Sequence, residues 1–153
     1  TERTLVLLKP CTLQRALAGE IITRFERKGL HIVGLKMMQL TDALLSEHYA
    51  HLADKPFFQR VKNSMMANPV VALCLEGVDA IDVVRTLAGP TNGRKASAGT
   101  IRGDYSMSFQ ENIVHASDGP ETAAAEVKRF FREDELFSWE ANNQPALYAC
   151  DEC

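Results

Sequence analysis

The chain has 153 residues, 46% of them hydrophobic and 24% charged, with 17 Lys and Arg against 20 Asp and Glu. This is the length of one domain, expected to span residues 1–153, and the apolar fraction excludes wholesale disorder. No apolar run approaches the roughly 18 residues of a membrane-spanning helix, and the net charge of −3 is opposite to that of a protein built mainly to coat nucleic acid.

Along the chain, Thr4 to Leu8 is a short apolar run closed by Lys9-Pro10 and reads as a strand. Leu13, Leu17, Ile21 and Phe25 recur four apart, so residues 12–28 read as one helix stopped by Gly29. Leu30 to Leu40, rich in Ile, Val and Met, predicts a second strand. Thr41 and Asp42 have the chemistry of a helix start, and residues 42–67 read as two helical pieces broken near Pro56. Pro69 to Leu75 is apolar throughout, as in a strand buried on both faces, and Asp79 to Leu87 predicts a further helix. Residues 88–111 hold no period and read as a long loop, which in a compact domain is usually functional. Asn112 to His115 is a brief strand. Asp118-Gly119-Pro120 then opens a helix that runs to about Phe131, and the tail from Glu133 has little periodicity. The order β-α-β-α-β-α-loop-β-α predicts an α/β (α+β) sandwich, a ferredoxin-like four-stranded antiparallel sheet covered by helices.

The four cysteines stand at 11, 74, 150 and 153. Cys150 and Cys153 form a lone C-x-x-C with no second pair of ligands for zinc, so free thiols in a reducing, cytoplasmic setting are expected, and the N-terminus shows no secretion signal. A Cys150–Cys153 disulfide would be strained by its short loop.

Chemistry concentrates in the long loop. Four of the nine glycines (Gly89, Gly93, Gly99 and Gly103) fall within it, and the stretch from Arg85, just before it, to Gly103 carries Arg85, Arg94, Lys95 and Arg102 with no acidic residue. Glycines let backbone amides approach a ligand, arginines offer forked donors to phosphate oxygens, and Thr91 and Thr100 add hydroxyls. The loop leads into a strand ending at His115, whose imidazole is an available nucleophile near neutral pH. Glu126, in the following helix, is spaced to fold back toward it. His31, His48 and His51 read as structural histidines. The chain has no P-loop, no G-x-G-x-x-G after a strand, no kinase signature with its catalytic Asp and no G-x-S-x-G elbow. A basic loop beside a nucleophilic histidine without those motifs points to phosphoryl transfer through phosphohistidine.

Asn112-Ile-Val-His115-Ala-Ser117-Asp118 resembles the signature N-x-x-H-[GA]-S-D of nucleoside diphosphate kinases. Lys9-Pro10, Tyr49, Lys55-Pro-Phe-Phe58, Gly77, Arg85, Thr91-Asn92 and Gly99-Thr-Ile-Arg102-Gly-Asp104 follow that family's order and spacing over almost the whole chain. The resemblance implies ping-pong transfer of a γ-phosphate from a nucleoside triphosphate, typically ATP, to a nucleoside diphosphate. On it, His115 becomes phosphorylated, Glu126 orients it and Ser117 supports its loop. Lys9, Arg85 and Arg102 offset phosphate charge and Thr91 donates to the phosphates. Asn112 and Lys9 hold the ribose hydroxyls, with Tyr49 positioning Lys9. Phe57 stacks on the base with Val61 beside it. Mg²⁺ is implied on the phosphates, without a protein cage.

Three positions depart from the family's pattern: Cys11-Thr12 in place of Asp-Gly, Ala116 where glycine is commoner, and Gly93 where proline is frequent. The resemblance also implies a homo-oligomer, a hexamer rather than a tetramer because the tail through Tyr148 is long. The alternative reading is a non-catalytic regulatory protein on the same fold, binding nucleotides or, weakly and with strong salt dependence, nucleic acid. The charge is uneven: residues 133–153 carry six acidic groups and no basic ones, which leaves 17 basic against 14 acidic on the rest.

Overall fold

The computed structural model describes residues 1–153. β1 (Glu2–Leu8), β2 (His31–Met38), β3 (Val70–Gly77) and β4 (Val114–Ala116) form one sheet in the order β2-β3-β1-β4. Every neighbouring pair is antiparallel, the ferredoxin-like arrangement expected from the alternation of elements. The helices are α1 (Pro10–Gln14), α2 (Ala18–Lys28), α3 (Asp42–His48), α4 (Phe58–Met66), α5 (Ala80–Ala88), α6 (Ile101–Tyr105), α7 (Pro120–Phe130) and α8 (Gln144–Leu147).

β1 explains why helices cover both faces. Its side chains alternate, Val6 and Leu8 entering a core with Ile21, Phe25 and Val84, while Leu5 and Leu7 enter a second with Leu45, Met65 and Phe130. All four β1 side chains are fully buried, each contributing about 2 kcal/mol of apolar burial. The central strand is therefore fixed from both sides, and the chain leaving it at Lys9 departs from a rigid platform.

The sequence-based helix over 12–28 is two helices. Ala16 turns left-handed at φ 55°, and Leu17 N–H donates back to Thr12 O at 3.0 Å, closing α1 in the manner that glycine usually serves. Leu13 and Leu17 still pack on the first core, so the fourfold spacing reports a shared face across the break. The gap between α3 and α4 falls around Pro56, and Thr41 caps α3 by accepting from Leu44 N–H at 3.2 Å.

Within the expected loop lies α6, capped by Thr100, whose hydroxyl accepts from Gly103 N–H at 2.9 Å. A Cβ at Gly103 would come 1.9 Å from Ser97 O, so glycine is required there by close packing. The last strand begins two residues later than expected, because Ile113 is held at φ 75° and Val114 N–H bonds Asn112 O at 2.9 Å in a γ-turn. The tail lies along the sheet edge, with Phe137 N–H on Val33 O at 2.8 Å and Trp139 Nε1 on Ile32 O at 2.9 Å. All four cysteines are free thiols, so Cys150 and Cys153 are not bridged. No helix is long and apolar enough to cross a membrane.

Candidate active site

A cleft of about 430 Å³ lies where the end of β1, the α3–α4 segment, α5, the residues between α5 and β4, β4 itself and α7 converge. Ten of the eleven residues to which the resemblance gives a role line it, and Ser117, fully buried, lies beneath. Their sequence separation is large. Antiparallel pairing of β1 with β4, which sets Leu7 opposite His115, brings Lys9 and His115 to the same end of the sheet.

Glu126 Oε1 accepts from His115 Nε2 at 2.9 Å and from Ser117 Oγ at 2.6 Å. Burial would raise the Glu126 carboxyl, but these hydrogen bonds from His115 and Ser117 outweigh it and hold its pKa below the ordinary value. An ionised carboxylate has no proton to give, so Nε2 carries the hydrogen, and in the neutral ring the lone pair falls on Nδ1, which has no protein partner. Ser117 is anchored in turn by Leu5 N–H at 3.3 Å, which ties the histidine's orientation to the central strand.

His48 is more than a satisfied core residue. Its ring stands edge-on to His115 at 4.7 Å, its Nδ1 accepts from Arg129 at 3.0 Å, and its buried Nε2 has no partner. Burial first, then the neighbouring His115, pushes its pKa down to about 3, so it packs there as a neutral ring. His48, His115 and Glu126 offer ligand atoms within 4.8 Å of one another. The set does not suit a hard cation: two of the donors are imidazoles, and Arg129 opposes positive charge at His48. Asp118 is the one other carboxylate lining the cleft.

Lys9 and Arg102 are held by backbone carbonyls. Lys9 Nζ donates to Gln110 O at 3.1 Å, while Arg102 donates to Asn112 O, Gly89 O and Val114 O at 3.0, 2.8 and 2.6 Å. Ile113 sits between two of those carbonyls, and its own oxygen takes Lys9 N–H at 2.9 Å and the Thr12 hydroxyl at 2.5 Å. A β-branched residue at positive φ costs about 1–3 kcal/mol, and these surrounding bonds over-determine it. Thr12, one of the departures from the family's pattern, thus supplies a hydroxyl that glycine lacks. Burial, reinforced by Arg102, lowers the Lys9 pKa to about 8. The ammonium is mostly charged at pH 7 and loses its proton as pH rises through about 8. On the nucleotide chemistry that the resemblance implies, kcat/KM is therefore expected to fall on that alkaline limb. A Lys9→Arg variant should move the fall to higher pH, and an unmoved limb would assign it to another group.

Asn112 donates from Nδ2 to Thr91 O at 3.2 Å and Phe109 O at 3.1 Å, and its buried Oδ1 has no partner. Arg85 and Thr91, both exposed, stand at the cleft, as do Phe57 and Val61 on the α4 side. Phe109, 62% exposed, lines the cleft too. It was missed in sequence because an aromatic in an aperiodic stretch carries no pattern.

Other readings of the loop need correction. None of its four glycines lines the cleft: they shape the loop and do not present amides to a ligand. Gly93 is buried, and a Cβ there would meet Ser106 O at 2.2 Å, which also excludes proline. Arg94 and Lys95 are exposed away from the cleft, and the Thr100 hydroxyl caps α6. Tyr49 is buried, its hydroxyl pushed up to about 12 by that burial and by Glu126, and it makes no hydrogen bond to Lys9. Gln110 O holds the ammonium in its place.

Residues 2–136 match the family model "Nucleoside diphosphate kinase". The chain is 68% identical over 151 residues to a nucleoside diphosphate kinase of Parabacteroides distasonis, covering 99% of both chains. It is 53% identical over 139 residues to that of Staphylothermus marinus, covering 91% of this chain and 99% of the relative. The structure of a halophilic nucleoside diphosphate kinase from Halobacterium salinarum in complex with CDP superposes with TM-score 0.94 at 42% identity, covering 96% of this chain and 98% of that one. A Babesia bovis family member gives TM-score 0.94 at 39% identity, covering 97% and 100%. With a fold, a family model and end-to-end relatives in agreement, the chain belongs to the nucleoside diphosphate kinase family of nucleotide-binding phosphotransferases.

Proposed function

We propose that this kinase works through His115 Nδ1, and the observation that carries the reading is Glu126 occupying Nε2. The Nδ1 lone pair attacks the γ-phosphorus of a nucleoside triphosphate, typically ATP. The bond from that phosphorus to the β–γ bridging oxygen breaks, and the nucleoside diphosphate leaves with the electron pair. A second nucleoside diphosphate then attacks the phosphohistidine with a β-phosphate oxygen and regenerates the imidazole. Such transfer rests on positioning and charge more than on proton movement. Lys9, Arg85 and Arg102 lower the cost of gathering phosphate charge, and Thr91 donates to the same oxygens. The unpartnered Asn112 Oδ1 suits a ribose hydroxyl, which brings a donor to a buried acceptor. Phe57 and Val61 receive the base, and stacking accepts any base because each has a π-face. Glu126 and Ser117 orient His115, and Tyr49 walls the cleft beside it.

The family uses a divalent cation, and we propose Mg²⁺. The cleft lacks an oxygen cage, so the ion would be held mainly by the nucleotide's phosphates, with Asp118 the one uncommitted carboxylate at hand. Its charge would offset the phosphates. The long tail supports a hexamer, whose mass by light scattering is expected at about six times the 17.0 kDa of the chain. Four times that mass would replace the hexamer by a tetramer. Free thiols at all four cysteines suit the cytoplasm.

Incubation with γ-labelled ATP and Mg²⁺ tests the reaction. Alkali-stable, acid-labile label on His115 is expected, and its absence would remove the phosphohistidine.

A further inference from the structure

Arg60 and Val61, on α4, stand three and four residues after Phe57, which caps the start of that helix, and all three line the cleft. Arg60 is the cation there with no part in the reaction as described. It forms no ion pair, its Nε donates to Gln110 Oε1 at 3.0 Å, and its two terminal nitrogens have no hydrogen-bond partner. Gln110 is itself fixed, since its backbone oxygen takes Lys9 Nζ at 3.1 Å and its amide nitrogen donates to Glu111 Oε1 at 3.0 Å. That amide can present only its oxygen to Arg60, which orients the guanidinium and leaves four N–H donors in a planar fork.

The Arg60 backbone stands three residues beyond Phe57, about 4.5 Å along the helix axis. A base stacked on Phe57 therefore has its edge within reach of donors and of no acceptor on that side chain. Guanine and hypoxanthine offer two acceptors on one edge, O6 and N7, which match the fork bidentately. Adenine sets its own amino donor beside N7, so one of the two bonds is lost and two donors face each other.

We propose that Arg60 reads the nucleobase edge and gives this kinase a preference for 6-oxopurine nucleotides over adenine nucleotides. The proposal rests on the stacking of the base on Phe57. The cleft is open to water, so the preference belongs at the low end of bidentate discrimination, about threefold to tenfold.

The test measures kcat/KM for dephosphorylation of the phosphoenzyme by GDP, IDP and ADP. In the wild type GDP and IDP are expected to exceed ADP by that factor. IDP lacks the 2-amino group, so it isolates the O6/N7 edge. Arg60→Met, and Arg60→Lys, which keeps the charge without the fork, are expected to bring the three values together. A preference that survives Arg60→Met, or an IDP value that follows ADP in the wild type, would overturn the proposal. Phe57→Ala separates the two layers. It is expected to weaken all three nucleotides alike, and if it weakens none, the stacking reading fails. If Phe57→Ala weakens all three while Arg60→Met leaves the ranking intact, the role of Arg60 alone fails.

Discussion

Replacing His115 with Gln is expected to lower phosphate transfer from ATP to GDP by at least about four orders of magnitude, as loss of a nucleophile does. Nucleotide affinity should stay within about tenfold, a change of at most about 1.4 kcal/mol. The two halves of that result come from different parts of the cleft. The side chains assigned to the nucleotide are Lys9, Arg85, Arg102, Thr91, Asn112, Phe57 and Val61, and none of them is hydrogen-bonded to His115. Gln fills nearly the same space, and its amide can still donate to Glu126, so no buried carboxylate is stranded. What disappears is the unengaged Nδ1. Single-turnover transfer and a direct binding titration on the same preparation check both halves. A variant that still cycles phosphate between ATP and GDP would overturn the assignment of the nucleophile.

The sheet was legible because its signal is period and order. Residues 5–8 of β1 and 70–75 of β3 are continuous apolar runs, and such runs are what a strand buried on both faces must be. Alternation of strands and helices then left few arrangements, though strand order came only from the observed pairing of β1 with both β3 and β4. Local backbone events were not legible. The chain leaves α1 at Ala16 in a conformation that glycine normally marks, and α6 contains a glycine that helix propensity counts against. The γ-turn at Ile113 has no local sequence signal, since the groups that bond the carbonyls around it, Lys9, Thr12 and Arg102, come from elsewhere in the chain.

Within the cleft, the motif identified the chemistry-bearing side chains but misplaced some of their work. Lys9 was given a tyrosine partner where a main-chain oxygen serves. The loop glycines and the Thr100 hydroxyl were read as facing a ligand where they close the loop on itself. His48 was set aside, although a buried imidazole beside His115 with an unpartnered nitrogen is part of the site's wall. Each of these errors has one cause. Residue type says which groups can donate, and only the folded backbone says which acceptor is nearest.

Arg102 is bound to the folded backbone in the same way. Its positive charge and position suggest a phosphate ligand whose loss would raise KM. The structure gives it a second task, because its guanidinium joins three carbonyls from Gly89, Asn112 and Val114. Two of those carbonyls flank Ile113, so Arg102 helps to hold the strained turn that leads into His115. Charge-assisted bonds of this kind are worth about 1.5–3 kcal/mol each, but the side chain is partly open to water, and solvent can reach some of the released oxygens. Arg102→Ala is therefore expected to cost about 3 kcal/mol of stability, lowering the melting temperature by about 10 °C in a chain of this size. Transfer should suffer in kcat as well as in KM, with kcat/KM reduced by more than about 100-fold, because displaced reacting groups lose near-attack geometry that extra nucleotide cannot restore. Arg102→Lys, which keeps a charge but not a three-way fork, should recover part of KM and little of the stability. If Arg102→Ala raises KM alone and melts like the parent, the guanidinium acts only on phosphate and the turn at Ile113 holds without it.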